Sequence, residues 1–149
     1  MSAEFRVRDA DWAVDATKLR QVRRAVFILE QQVPEDLEWD EADASCQHAI
    51  GEDAARNPIA TGRLLADGYL GRIAVLASWR GHGVGAAVFE HLVRAAIRRG
   101  HRELRLNAQT RAIGFYARYG FAPCGPEFIE AGIAHCPMRR QIGATGIAD

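Results

Sequence analysis

The sequence predicts a three-layer α+β domain, with a mixed and mostly antiparallel central sheet flanked by helices. Three observations predict it. Short alternating segments in the first half are joined by tight-turn signals, as in an antiparallel meander. A glycine-rich stretch, "RGHGVG" at 80–85, then leads from a strand into an amphipathic helix. The second half reads β-α-β-α-β.

Taken in order, "EFRVRD" alternates apolar and charged residues as a short strand, with Phe5 and Val7 on one face. Asp11 or Asp15 is placed to cap a helix in which Leu19, Val22, Val26 and, one turn on, Leu29 recur at helical spacing, a stripe for the core. "QQVPEDLEWDEADAS", 31–45, holds a proline and six acidic residues with little periodicity, and reads as a surface loop or short helical turns. "QHAIGED" and "PIATGRLLA" come next as strands across the turn-prone Arg56-Asn57-Pro58. Asp67-Gly68 marks a hairpin into "YLGRIAVL", because both residues tolerate the positive φ of two-residue turns.

Beyond the glycines, Val84, Val88, His91 or Leu92, and Ala95 line one helix face, and Arg98-Arg99-Gly100 is a C-terminal signal. "RELRLNA" is a strand that alternates Leu104 and Leu106, "RAIGFYARYG" a short helix closed by Gly120, and "AGIAHCPMRR" a final strand. Residues 1–140 are expected to form one domain and 141–149 a loose tail.

Composition narrows the function. With 149 residues the chain suits a single domain that buries roughly 68–70% of its unfolded surface. Lys plus Arg and Asp plus Glu are both 19, so the overall balance points to no nucleic acid and no membrane surface. The start lacks a basic region followed by an apolar run, and no stretch approaches the ~18 apolar residues of a span, which makes a soluble, cytoplasmic protein the expectation. Cys46, Cys124 and Cys136 are scattered without CxxC spacing, the pattern of buried free thiols and not of a disulfide framework or a metal site.

The loop 80–85 admits three readings. Its glycines could serve only a tight strand-to-helix turn. They could also expose main-chain amides at a helix N-terminus, where first-turn N–H groups lack partners and attract an anion such as a diphosphate, with Arg80 as an added cation. Finally, Gly81, Gly83 and Ala86 satisfy the G-x-G-x-x-G/A dinucleotide fingerprint, but the next strand ends in Asn107 where that site needs an acidic residue.

Arg80-Gly81-His82-Gly83-Val84-Gly85 resembles the Arg/Gln-x-x-Gly-x-Gly/Ala loop of the GNAT superfamily of N-acetyltransferases, and "LNAQTRAIGFYARYGF" resembles that family's next strand, helix and Phe-Tyr-x-x-x-Gly-Phe segment. "AVFILEQQVPEDLEWDEADASCQHAI" and "EAGIAHCPM" are similar to the ElaA-like branch. The resemblance implies the GNAT acyl-CoA N-acyltransferase fold, splayed between its fourth and fifth strands, and acetyl-CoA as donor with no metal. It leaves the acceptor open, a small-molecule or peptide amine, and likewise the pairing of two copies as a homodimer.

The resemblance also implies roles. Ile73, Ala74 and Val75 would offer main-chain groups to the pantetheine and acetyl oxygen, with Val75 N–H as oxyanion donor, while the loop from Arg80 to Gly85 would hold the diphosphate. Asn107 would bind the pantetheine arm, Phe115 would flank it, and Tyr116 would donate a proton to the coenzyme's sulfur. Acetyl transfer needs a deprotonated amine, so a base is required; Glu30 and His135 are the candidates, with His48 and Glu130 behind them. The acidic run Glu35, Asp36, Glu38, Asp40, Glu41 and Asp43 is either a solvated face or a lure for a cationic amine. No base is spaced to activate Cys124 or Cys136, which favours direct transfer over an acyl-enzyme. A non-catalytic acyl-CoA-binding module on the same fold is the alternative.

Overall fold

A computed structural model of the chain describes residues 4–142. One open sheet dominates it. β1 (Phe5–Ala10), β2 (Gln47–Asp53), β3 (Pro58–Leu64) and β4 (Tyr69–Val75) form the expected antiparallel meander. β5 (Glu103–Gln109) lies parallel to β4, and β8 (Ile133–Gln141) runs antiparallel to β5. Two further strands, β6 (Ala122–Pro123) and β7 (Phe128–Glu130), pair with the outer edge of β8. Segments so short hold no alternation by which the sequence could reveal them. β8 continues through Gln141, and Ile142 is buried. The remainder of the expected tail, 143–149, lies outside the described residues.

Asp11 starts α1 (Trp12–Arg23) by accepting the Ala13 N–H, while the Asp15 carboxylate accepts the Asp11 N–H at 3.0 Å, a reciprocal cap. Over Arg24–Glu30 the helix widens into π turns, and the Gln31 N–H donates to Val26 O at 3.0 Å. A π turn inserts a residue and so rotates the side chains beyond it. Leu19, Val22 and Val26 are buried as expected, but Leu29 is 68% exposed and Glu30 is carried toward Arg80. After the short α2 (Glu35–Glu38), the long α3 (Val84–Arg98) presents Leu92 to the core and leaves His91 outside against Asp9. It ends in a Schellman pattern, Gly100 N–H to Ile97 O and His101 N–H to Ala96 O. α4 (Ile113–Ala117) closes the set.

The side chains of β4 show how the layers divide. Ile73 and Val75 pack with the cluster under α3, and Ala74 between them packs with Val22, Val26 and Phe27 of the first helix. Between α3 and the sheet, Gly62 makes the contact possible. A Cβ there would lie 2.7 Å from Ile73 Cδ1, 2.8 Å from Leu92 Cδ1 and 2.9 Å from Val88 Cγ1. Gly62→Ala is therefore expected to lower stability by about 1–3 kcal/mol, read as a fall in the urea midpoint at unchanged slope.

Candidate active site

β4 and β5 face each other at only two positions, Tyr69 opposite Arg105 and Leu70 opposite Leu106, and then part. On the other side of β4 the register against β3 shifts between Thr61 and Arg63, so that Arg72 and Ile73 together face Gly62. Arg72 takes φ 52, and the Thr61 hydroxyl donates to its carbonyl at 3.1 Å, fixing the bulge. Past the bulge the Leu76 N–H donates to Ile59 O at 2.9 Å, and strand alternation then turns the Val75 N–H to the opposite edge, toward the gap. The gap opens into a cleft of about 840 Å³, walled by residues 69–75, Arg80, Asn107, Phe115, Tyr116 and His135.

At the wide end lies the loop. Gly81 and Gly83 have φ 83 and 80, and the space where a Cβ would project is open at both. No side chain caps Gly83, and Ala87 N–H to Gly83 O opens α3, so the amides of Val84, Gly85 and Ala86 have no intrahelical partner. These outward amides suit an anion. Gly81 to Gly85 border the cleft beyond Arg80 and do not line it. Val84 is anchored in the core and His82 packs edge-on against Trp79, leaving their main-chain groups for any ligand.

Tyr116 and Phe115 stand on α4 with their rings against Phe89, at 5.2 and 5.8 Å. The two nearby phenols differ. Tyr119 spends its hydroxyl on Glu90 at 3.1 Å, whereas the Tyr116 hydroxyl has no hydrogen-bond partner among the described residues and is not sealed from the cleft. Burial pushes the Tyr116 pKa up to about 12, so it holds its proton at neutral pH. Asn107 is exposed on β5, opposite Pro137, and lines the same cleft.

The base candidates separate clearly. Glu30 does not line the cleft; both its oxygens take hydrogens from the Arg80 guanidinium at 2.6 Å, and that pairing holds its pKa below the ordinary value. A carboxylate so engaged is a poor proton acceptor for as long as the pair holds, and Glu30 stands outside the cleft that His135 lines. His48 is buried against Trp12 with Nε2 on Asp43 O, and burial lowers its pKa. Glu130 is exposed at the cleft's edge. His135 lines the cleft with its ring stacked on Phe128, and Nδ1 lies 2.7 Å from Ile133 O. A carbonyl only accepts, so Nδ1 carries the hydrogen and the neutral ring keeps its lone pair on Nε2.

The acidic segment divides: Glu35, Asp36, Asp40 and Glu41 are exposed, as a solvated face would be, while Glu38 and Asp43 turn inside the protein. Glu38 and Asp43 are buried with Arg23, which donates from Nε to Glu38 and from Nη1 to Asp43, both at 2.8 Å. Arg63 joins by donating to Asp40 and Asp43 at 2.7 and 2.8 Å. Glu35 pairs with Arg24 at the surface. The partners come from α1 and β3, too distant in sequence for local patterning to pair them with this loop. Asp43, Cys46 and His48 place ligand atoms within 4.8 Å of one another, but both oxygens of Asp43 already take arginine hydrogens.

A parallel strand pair that parts over a cleft, with an amide-rich turn at the wide end, is the architecture of the acyl-CoA N-acyltransferase class. Residues 14–142 match the acetyltransferase (GNAT) domain. The chain is 40% identical over 124 residues to the uncharacterized N-acetyltransferase YjcF of Bacillus subtilis, covering 80% of this chain and 88% of that one. Escherichia coli ElaA superposes with TM-score 0.83 at 25% identity, over 93% of this chain and 100% of its own. An acyl-CoA N-acyltransferase from Pseudomonas aeruginosa gives 0.82 at 28%, over 92% and 99%. The chain belongs to the GNAT acetyltransferase family. No helix among the described residues is long and apolar enough to cross a membrane.

Acid is expected to weaken the fold in a defined window. Hydrogen bonds from Arg63 and from Arg8 hold Asp40 and Glu52 at about 2, against ordinary values of 3.8 and 4.5. A depressed carboxylate stabilises the fold above its unfolded pKa and ceases to as pH falls through its folded one. These two carboxylates are therefore expected to draw the urea midpoint down steadily between about pH 4.5 and about pH 2, and the buried His48, its pKa lowered, to add a fall that begins below pH 6.5.

Proposed function

We propose that this protein is an acetyl-CoA-dependent N-acetyltransferase that acts on a primary amine by direct attack within a ternary complex. The observation that carries the reading is that one cleft, opened by the parting of β4 and β5, has Arg80 at one end and the unpartnered Tyr116 hydroxyl in its wall. The loop amides and the open space above Gly81 and Gly83 fit a diphosphate. Val75 N–H, Asn107 and the edge of β4 would hold the pantetheine arm and acetyl oxygen. Bound acetyl-CoA supplies an activated acyl group and a thiol leaving group.

The remaining roles belong to the protein. Tyr116 keeps its proton at neutral pH and gives it to the departing sulfur. His135 Nε2 accepts a proton from the attacking amine, directly or through one water, while Ile133 O fixes the ring's tautomer. Cys124 is exposed, Cys136 is buried, and neither lines the cleft, which supports direct transfer over an acyl-enzyme.

Titration calorimetry is expected to show acetyl-CoA binding and no NADH binding; absence of heat at high micromolar acetyl-CoA, with NADH bound instead, would overturn the reading. Thiol release across a panel of polyamines, amino sugars and peptide amines then separates an enzyme from a binding module. Tyr116→Phe is expected to lower kcat by about 100-fold or more while changing coenzyme affinity little. Unchanged turnover would remove the assignment.

A further inference from the structure

One buried carboxylate in the cleft has no part in the roles above. Glu38 is 3% exposed, ends α2 and lines the cleft, where Arg72 of the β4 bulge adjoins it. Its Oε2 accepts from Arg23 Nε at 2.8 Å and lies 3.2 Å from Arg72 Nε. Its Oε1 receives no hydrogen bond among the described residues, yet the one sealed side-chain atom lacking a partner among them is Arg72 Nε. Oε1 is therefore not sealed, in a residue that lines the cleft. Burial raises the Glu38 pKa in spite of its arginine neighbours, the sign of a carboxylate still short of favourable contacts.

The three guanidiniums around it direct most of their hydrogens inward: Arg23 to Glu38 and Asp43, Arg63 to Asp40 and Asp43, and Arg72 Nη2 to the carbonyls of Leu37 and Glu38. The cleft that Glu38 lines also has an apolar stretch of wall, to which Phe27, Val33 and Leu37 contribute. An ion able to satisfy Oε1 in such a place is a cation joined to an apolar body.

Building on the transferase reading, we propose that Glu38 Oε1 binds the acceptor's ammonium group and that the acceptor is a primary amine whose apolar body lies on Phe27, Val33 and Leu37. Glu38 orients the amine and His135 takes its proton. The carboxylate thus sets acceptor affinity and not the chemical step.

The probes are phenethylamine and phenylalanine, which differ by one carboxylate, titrated into the full chain with and without coenzyme A. Phenethylamine is expected to bind and phenylalanine to bind at least about tenfold more weakly, because its carboxylate would enter beside Glu38. Glu38→Gln is expected to weaken phenethylamine about tenfold or more, raising KM without lowering kcat, and to leave acetyl-CoA binding unchanged. Leu37 is 55% exposed, so Leu37→Ala keeps the fold and is expected to weaken phenethylamine about threefold with methylamine unaffected. That variant decides the matter if Glu38→Gln fails to fold by circular dichroism. Tighter binding of phenylalanine would assign the site to an anion on Arg72 and overturn the proposal, as would phenethylamine affinity indifferent to both substitutions. Loss of acetyl-CoA binding in the wild type would instead count against the transferase reading, while the amine titrations still decide Glu38.

Discussion

The site depends on a pairing that stops. β4 and β5 share two positions and then separate, because a bulge at Arg72 and Ile73 turns β4 away while its other edge stays bonded to β3. An unpaired strand edge inside a protein costs free energy unless something satisfies its amides. Here the edge faces a cleft, so the unmet hydrogen-bonding capacity becomes binding capacity. Gly62 permits the bulge by removing the side chain that would collide with Ile73 and α3.

The arginine–carboxylate network holds the far wall in place by a different physical means. Ions buried this deeply contribute little net stability compared with apolar packing, but removing one partner would leave an uncompensated charge and cost about 3–5 kcal/mol. The arrangement therefore specifies position more than it adds strength. It ties the segment from Glu35 to Ala44, which has no long element of its own, to α1 through Arg23 and to β3 through Arg63. Without those ties nothing in the segment's own pattern would fix Leu37 and Glu38 against the cleft.

Much of this was legible in the sequence wherever periodicity or turn chemistry carried the signal. The meander, the Asp67-Gly68 hairpin, the Asp11 cap and α3 with its glycine end all obey local rules. The meeting of Arg80, Asn107, Tyr116 and His135 around one cleft was legible too, although that rested on resemblance more than on spacing. The misses share a cause. The rotation of Leu29 outward, the clamp of Glu30 on Arg80 and the burial of Glu38 and Asp43 depend on a π turn or on partners far along the chain. Periodicity assumes an unbroken helix, and charge composition is silent about which charges are paired.

The π segment also joins the two ends of the cleft. Within seven residues it places Phe27 on the apolar wall and Glu30 against Arg80 at the amide loop. The Arg80–Glu30 pair has good geometry, yet both side chains are more than two-fifths exposed, so solvent screens it to about 1 kcal/mol or less. A diphosphate meeting the loop amides would gain charge-assisted hydrogen bonds of about 1.5–3 kcal/mol each. The ion pair is therefore the weaker partner in that competition and does not block the site. Its effect is to keep Arg80 extended beside Val75, whose carbonyl also accepts from its Nε at 3.1 Å, so that the cation is already in place where an anion would arrive.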